Sequence, residues 1–221
     1  MPVAQQPVNN SPTCLLAVYI VNDDIQNAIK LVGSGDVDHD DALLQVINLD
    51  TIIYDNGLNI VNRIVNGYLI KDVANIIHAC VLHGNMPILG ILISKYTTIN
   101  KDWFYYAWEQ LISNLFSAQR PQNTARWIIN YAAENKINLQ TSEIMSILNN
   151  NDKELTHTVL DCLFDNSEHY RLVTSKLFTA PVCDLSGVVV KYLYDRKMRR
   201  YTYSEYAAAT LRSHLAGLSC I

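Results

Sequence analysis

The chain alternates short apolar segments with polar turns, and one helix pattern recurs along most of its length. The most complete copy covers residues 76–100, where a short helix beginning at His78 is followed by a Gly84-Asn85 turn, an apolar helix and a polar end. In the second helix, expected over about residues 86–95, the apolar positions are spaced at i, i+3 and i+4. This spacing predicts a helix, because a strand would place apolar residues at every second position.

Weaker copies of the second helix lie before and after this segment. Equivalent positions in the six copies are separated by 32, 28, 38, 30 and 33 residues, with marks at Lys30, Asn62, Gly90, Ile128, Thr158 and Lys191. A recurrence of this length is typical of repeat proteins, in which a unit buries its apolar face by stacking on its neighbours. The period alone fits both ankyrin repeats, at roughly 33 residues, and tetratricopeptide repeats, at roughly 34.

The copy over residues 72–102 resembles an ankyrin repeat. It has a step similar to Leu-His ending at His78, the Gly84-Asn85 turn, an Ile- and Leu-rich second helix, and an Asn-terminated finger at 97–100. The Thr-Pro that opens an ankyrin unit is missing, so the resemblance is to a diverged member. It implies an all-α, ankyrin-like solenoid of about six diverged repeats. It also implies that Gly84 and Asn85 form the inter-helix turn, and that His78 hydrogen-bonds the backbone between repeats.

Length and composition agree with a folded chain. At 221 residues, with 49% hydrophobic and 17% charged residues, the chain can bury a substantial core. Residues 1–10 are polar and lack the pattern of a secretory signal, so we expect a disordered leader followed by a single ankyrin-like domain over 11–221. A net charge of −4 gives no electrostatic footprint for nucleic acid. Because no run of 18 apolar residues occurs, we also expect no membrane span.

The cysteines and the absence of catalytic motifs exclude several classes of function. The chain has five cysteines, an odd number without metal-binding spacing, so we expect reduced thiols in a cytoplasmic or nuclear protein. Cys80 and Cys162 lie on apolar helix faces, where cysteine serves as a small hydrophobic residue. The glycine-rich phosphate loops, the zinc-protease motif and the nucleophile elbow are all absent. We therefore expect no enzymatic activity, no cofactor and no metal.

An acidic run contains four carboxylates within six residues, at Asp36, Asp38, Asp40 and Asp41. Alternating aspartates begin an EF-hand calcium loop, but the glycine and the glutamate that such a loop needs at its sixth and twelfth positions are missing. Two interpretations stay open. The run is either a solvated tip between helices or an acidic contact for a basic partner.

An unusual aromatic segment covers residues 103–108, and its first residues form a second candidate contact: Lys101, Asp102 and Trp103. Aromatic side chains at helical spacing serve a core, whereas exposed Trp and Tyr concentrate binding energy at interfaces. We expect the acidic run and this tip to line one partner-binding face. A basic run over 196–200 is explained either by the helix dipole or by a patch for an acidic partner or nuclear import.

These features favour a non-catalytic protein-interaction module. The degraded repeats and the abundance of Asn and Ile resemble the ankyrin proteins that large DNA viruses encode in families. That resemblance implies binding of a host protein in innate-immune or ubiquitin pathways, in the host cytoplasm or nucleus. The alternative is a structural or assembly subunit that packs through its own repeats; the sequence also allows a monomer.

Overall fold

The computed structural model of the protein describes residues 11–49, 53–96, 102–115, 117–150, 152–196 and 198, none of which lies in a strand. The all-α prediction is therefore confirmed for these residues. In chain order the α-helices found in them are α1 (Pro12–Val21), α2 (Ile25–Val32), α3 (His39–Asn48), α4 (Asp55–Gly67), α5 (Val73–His83), α6 (Met86–Tyr96), α7 (Asp102–Ser113), α8 (Pro121–Glu134), α9 (Thr141–Leu148), α10 (Lys153–Asp165), α11 (Arg171–Thr179) and α12 (Gly187–Asp195). A short 3-10 helix spans Val182–Asp184.

Local capping explains where many of the helices begin. Six side chains of Ser and Asp accept a hydrogen bond from the backbone of a first turn, at Ser11, Asp24, Asp38, Asp72, Asp152 and Ser186. Such caps satisfy N–H groups that have no partner within the helix. Because Asp72 caps α5, that helix begins at Val73, and the expected start at His78 is wrong. The expected extent of α6 is confirmed.

The chain divides into two units, Met1–Arg120 and Pro121–Ile221. In the first unit α1, α3, α5 and α7 pack in succession as one row, while α2, α4 and α6 form a second row. Buried residues four apart supply the facing surfaces, such as Leu16 with Ile20 in α1 and Phe104 with Trp108 in α7. Gly57 brings α4 close to α1, because a Cβ atom at this position would lie 2.5 Å from the carbonyl oxygen of Ile20.

The second unit has the same alternation. Helices α8, α10 and α12 pack in succession, and α9 packs against α11. The carboxylate of Asp161 in α10 accepts a hydrogen bond from the Tyr192 hydroxyl at 2.6 Å and pairs with Arg196 at 2.8 Å. The Arg196 guanidinium also lies 4.3 Å from the ring centroid of Tyr192, so this group of side chains fastens α12 to α10.

Three helices end in the same type of backbone turn. Asp23, Gly84 and Lys136 have φ angles of 60°, 65° and 55°, the left-handed conformation that ends many helices. In each case the N–H of the next residue donates to the carbonyl five residues back, at 2.9, 2.9 and 2.8 Å. In the first two turns that next residue, Asp24 or Asn85, also caps the following helix. Gly84 and Asn85 therefore connect α5 to α6, and their role between repeats stays a prediction.

Some hydrogen bonds connect one pair of helices to the next pair. They join residues separated in sequence by about the length of one helix pair, and we call them step contacts. In the first unit, Asp23 accepts from the N–H of Gly57 at 3.0 Å, a sequence separation of 34 residues. His78 in α5 donates from Nδ1 to Oε1 of Gln110 in α7 at 2.6 Å, a separation of 32. His78 thus joins neighbouring helix pairs, although its acceptor is a side chain and not the backbone that the resemblance implied.

The second unit contains step contacts of the same length. His169 contacts the carbonyl of Ile137 at 3.0 Å, across 32 residues. The hydrogen bond from Tyr192 to Asp161 spans 31 residues. These separations match the recurrence in the sequence, which averages about 32 residues.

Candidate functional site

The acidic run lies at the connection between α2 and α3 and in the first turn of α3. Asp36, Asp38 and Asp41 are exposed, and Asp40 is half-buried. Asp38 caps α3, since its carboxylate accepts from the N–H groups of Asp40 at 3.0 Å and Asp41 at 3.1 Å. Asp41 receives a hydrogen bond from the side chain of Gln45 at 2.9 Å, one turn along the helix.

Asp40 forms a step contact with the segment that leads into α5. Its Oδ2 atom accepts from the backbone N–H of Lys71 at 2.9 Å and of Asp72 at 2.8 Å. Hydrogen bonds to a charged acceptor are stronger than neutral ones, so this carboxylate fixes the start of the next helix pair. Asp38 and Asp40 therefore have structural roles, as a helix cap and as a step contact, whereas Asp36 and Asp41 carry charge at the surface.

The aromatic tip begins α7. Asp102 is exposed and Trp103 is half-buried, while Phe104 and Trp108 fill the core of the first unit. The Trp103 ring makes edge contacts with Tyr96 and with Tyr106, both at a centroid distance of 6.2 Å. Lys101, which was predicted to belong to the tip, lies outside the described residues, as do the leader 1–10 and most of the basic run.

Tyr96, the last residue of α6, contacts Trp103 of the aromatic tip and lies within the electrostatic influence of Asp40 in the acidic run. Partial burial raises the pKa of the Tyr96 phenol, and the nearby negative charge of Asp40 raises this pKa further. Tyr96 therefore connects one residue of the aromatic tip with one residue of the acidic run, and the sharing of one face by the two groups stays a prediction. We give the name acidic-aromatic edge to the described residues of the acidic run and the aromatic tip together with the two tyrosines that contact Trp103: Asp36, Asp38, Asp40, Asp41, Tyr96, Asp102, Trp103 and Tyr106.

A further pair of rings lies close to the edge. His39, beside Asp38 and Asp40, stacks on Tyr68 with ring centroids 4.1 Å apart, and its Nε2 atom contacts the carbonyl of Val32 at 3.0 Å. The next residue, Leu69, leaves 83% of its surface exposed. Sequence reasoning missed Tyr68, Leu69 and Tyr96. The signal available was a tyrosine at the end of two successive second helices, spaced 28 residues apart.

Formal charge is distributed unequally between the two units. The first unit contains eleven carboxylates and six basic side chains, a charge of −5, and the second contains ten and eleven, a charge of +1. The acidic balance of the chain therefore comes entirely from the unit that carries the acidic-aromatic edge.

The second unit has a polar groove of about 780 Å³ at the connections that follow α8 and α10. It is lined by Ala133, Lys136, Asn138, Asp165, Asn166, Ser167, Glu168 and His169. Charges of both signs line it, and His169 is held by its step contact. This groove offers hydrogen-bonding groups but no concentration of charge or of aromatic surface.

Metal sites, membrane spans and reactive thiols would each indicate a different class of protein. Across the described ranges, no cluster of three or more His, Cys, Asp or Glu side chains could hold a metal ion. None of the helices in those ranges combines the length and the apolar character needed to cross a membrane. Burial raises the pKa of the Cys162 thiol to about 11 and also raises that of Cys80, as expected for thiols that serve as core side chains.

Comparison of the chain with protein-family models, with curated proteins and with solved structures found no match.

Proposed function

We propose that the chain is a non-catalytic protein-interaction module of ankyrin-like repeats, which binds a protein partner through the acidic-aromatic edge. The observation that carries this proposal is the contact between the rings of Trp103 and Tyr96, with centroids 6.2 Å apart, and the charge of Asp40 acting on the Tyr96 phenol supports it. The partner's contacting segment would have an apolar centre with a basic rim. Trp103 would supply most of the affinity, and Asp36 and Asp41 would contribute attraction and specificity.

The repeat part of the proposal rests on the regularities within each unit. Helices one pair apart pack on each other, step contacts span 31 to 34 residues, and the same left-handed turn ends α1, α5 and α8. A stack of helix pairs of this length is the architecture of ankyrin and related repeats, whose aligned connections commonly form the binding surface. The acidic-aromatic edge is built from such connections and from the helix turns beside them.

The resemblance to ankyrin proteins of large DNA viruses extends the proposal to a host protein as the partner. The free thiols of Cys14, Cys80, Cys162 and Cys183 agree with a reducing compartment, so we place the interaction in the cytoplasm or nucleus. An innate-immune or ubiquitin-pathway partner is the role that this resemblance suggests.

The proposal can be tested by selecting ligands from a displayed library of random peptides on the immobilised full chain. The selected peptides should be rich in Arg and Lys around an apolar residue. Their binding should weaken strongly in Trp103→Ala and should weaken moderately, and mainly at low salt, in the double variant Asp36→Asn/Asp41→Asn. Asp38 and Asp40 are unsuitable for this purpose, because replacing them removes a helix cap and a step contact.

The matched control is Trp127→Ala. Trp127 is also half-buried, and it stacks on Tyr131 with centroids 5.0 Å apart, but it lies in the second unit. Peptides that bind Trp103→Ala as well as they bind the unchanged protein would move the binding surface away from the edge.

An assembly subunit is the second candidate, and exposed apolar side chains favour it. In α11 of the second unit, Leu172 leaves 76% of its surface exposed, and Phe178 on the same helix leaves 39%. Sedimentation at increasing concentration separates the two candidates. A defined oligomer that Leu172→Glu dissociates would support assembly, and a monomer throughout would contradict it.

A further inference from the structure

Trp103 makes edge contacts with two other aromatic rings of the edge, Tyr96 and Tyr106. The plane of Trp103 makes an angle of 61° with that of Tyr96 and of 83° with that of Tyr106. All three side chains are half-buried, so each is held by the fold while part of its surface stays in contact with solvent. Aromatic rings that meet at steep angles create corners, and the negative face of such rings attracts cations.

One cation of the chain already uses this cluster. The Lys95 ammonium lies 5.0 Å from the centroid of the Tyr96 ring, within the distance at which cation–π attraction is significant. The same ammonium donates to the carbonyl of Val65, which holds it in place. Lys95 thus occupies a position over Tyr96, and Trp103 and Tyr106 are the two further rings of the cluster.

Two carboxylates belong to the surroundings of the cluster: Asp40 in α3 and Asp102 at the start of α7. The negative charge of Asp40 raises the pKa of the Tyr96 phenol, and exposed Asp102 directly precedes Trp103. The surrounding unit carries a formal charge of −5. A flat, weakly hydrated cation gains both from stacking on an aromatic ring and from nearby carboxylates, and an arginine guanidinium combines these properties better than an ammonium does.

We propose that Trp103 and Tyr106 form the walls of a site for an arginine side chain of the protein partner, with the neighbouring carboxylates supplying long-range attraction. The inference rests on the proposed function, and it specifies the chemical group that the edge recognises. It differs from an apolar anchor alone, because the contact requires both a ring at position 103 and a positive charge on the ligand. It also differs from simple charge attraction, because a ring contact is short-ranged and less sensitive to salt.

The test compares two fluorescein-labelled dodecapeptides of alternating leucine and arginine or leucine and citrulline, titrated against the full chain by fluorescence anisotropy. Citrulline keeps the size and most hydrogen-bonding groups of arginine but lacks its charge. The expected result at physiological salt is that the arginine peptide binds at least about tenfold more tightly, as a cation–π contact with nearby carboxylates would provide.

Variants at position 103 distinguish the contribution of an aromatic ring to affinity from the contribution of apolar surface alone. Trp103→Phe keeps an aromatic face and should retain affinity within about threefold, whereas Trp103→Leu keeps apolar surface without a ring and should lose about as much affinity as the citrulline peptide does. Trp127→Ala should bind as the unchanged protein does. Circular dichroism of each variant, matched to the unchanged protein, shows that loss of binding does not arise from unfolding.

Each other outcome has a definite meaning. Equal binding of the two peptides, lost in both Trp103→Leu and Trp103→Phe, would overturn the arginine site and leave the interaction function in place. A preference for arginine that Trp103→Leu does not reduce would overturn the ring contact and leave charge attraction as the explanation. If neither peptide shows binding that depends on Trp103, this inference is overturned. If peptides selected from the library also bound independently of Trp103, both this inference and the proposed function of the edge would be overturned.

Discussion

Replacing Asp40 with alanine should weaken the first unit by about 2 kcal/mol, because it removes the step contact that fixes the start of α5. One carboxylate oxygen accepts two backbone hydrogen bonds, at 2.9 and 2.8 Å, from Lys71 and Asp72. A hydrogen bond to a charged group contributes roughly 1.5–3 kcal/mol. The lower part of that range applies, because Asp40 is half-buried and its two donors belong to exposed residues that water can reach after the substitution.

Asp41→Ala is the matched control. Asp41 is the next residue in the same helical turn and is exposed, and its carboxylate contacts the Gln45 side chain alone among its described partners. Its loss should change stability by at most about 0.5 kcal/mol. The comparison thus separates a carboxylate that joins two helix pairs from a carboxylate that merely adds charge.

The assay is urea denaturation followed by tryptophan fluorescence, in a background where Trp127→Phe restricts the signal to Trp103 and Trp108 of the first unit. For a urea dependence of roughly 2 kcal/mol/M, Asp40→Ala should lower the midpoint by about 1 M. Asp41→Ala should lower it by no more than about a quarter of that shift. Equal midpoints for the two variants would refute the argument that step contacts stabilise the stack.

Three further predictions concern packing, and one concerns pH. Gly57→Ala should destabilise the first unit by about 1–3 kcal/mol, because the new Cβ would meet backbone, whereas Gly67→Ala, with open space around it, should be neutral in the same denaturation experiment. Leu92→Ala, at a fully buried position, should cost about 2–5 kcal/mol, and an unchanged denaturation midpoint would contradict the packing of α6. Cys162, whose thiol has its pKa raised to about 11, should resist alkylation by iodoacetamide at pH 8 in the folded protein and react after unfolding, as measured by mass spectrometry of its peptide. Burial, and to a lesser extent the charge of Lys153, lowers the pKa of the His157 imidazole below its ordinary value of 6.5. The folded protein therefore favours neutral His157, and the stability that this provides above pH 6.5 is lost as the pH falls below that value. His157→Gln should reduce this loss of stability, as measured by thermal melts between pH 7.5 and 5.5.

The residues that could be predicted from sequence were those whose local pattern has a single solution. Gly84 and Asn85 were identified because a small residue followed by a capping side chain between two apolar helices is itself a turn signal. The acidic run and Trp103 were identified by composition. Tyr96 was missed, since nothing local distinguishes a tyrosine at a helix end from any other, and its contact with Trp103 arises only in the folded chain.

The duties of individual aspartates also depended on the fold. Asp36, Asp38, Asp40 and Asp41 form one acidic run in the sequence, and all four were assigned to the same binding face. Their separation into two structural and two surface carboxylates follows from the position of the next helix pair, which presents backbone N–H groups to Asp40 across more than 30 residues. The same reason explains why the acceptor of His78 is Gln110 and not a backbone carbonyl.

The sequence by itself determined that the chain is helical, because apolar spacing, capping side chains and left-handed turn residues act within one or two helical turns. It also predicted a recurrence of about 32 residues, which is close to the sequence separation of the step contacts in both units. The tertiary structure alone decided which polar side chains join one pair to the next and that the ring of Trp103 contacts that of Tyr96. These relations depend on how closely the helices pack, as at Gly57, and packing distances are set by contacts between segments that lie far apart in the chain.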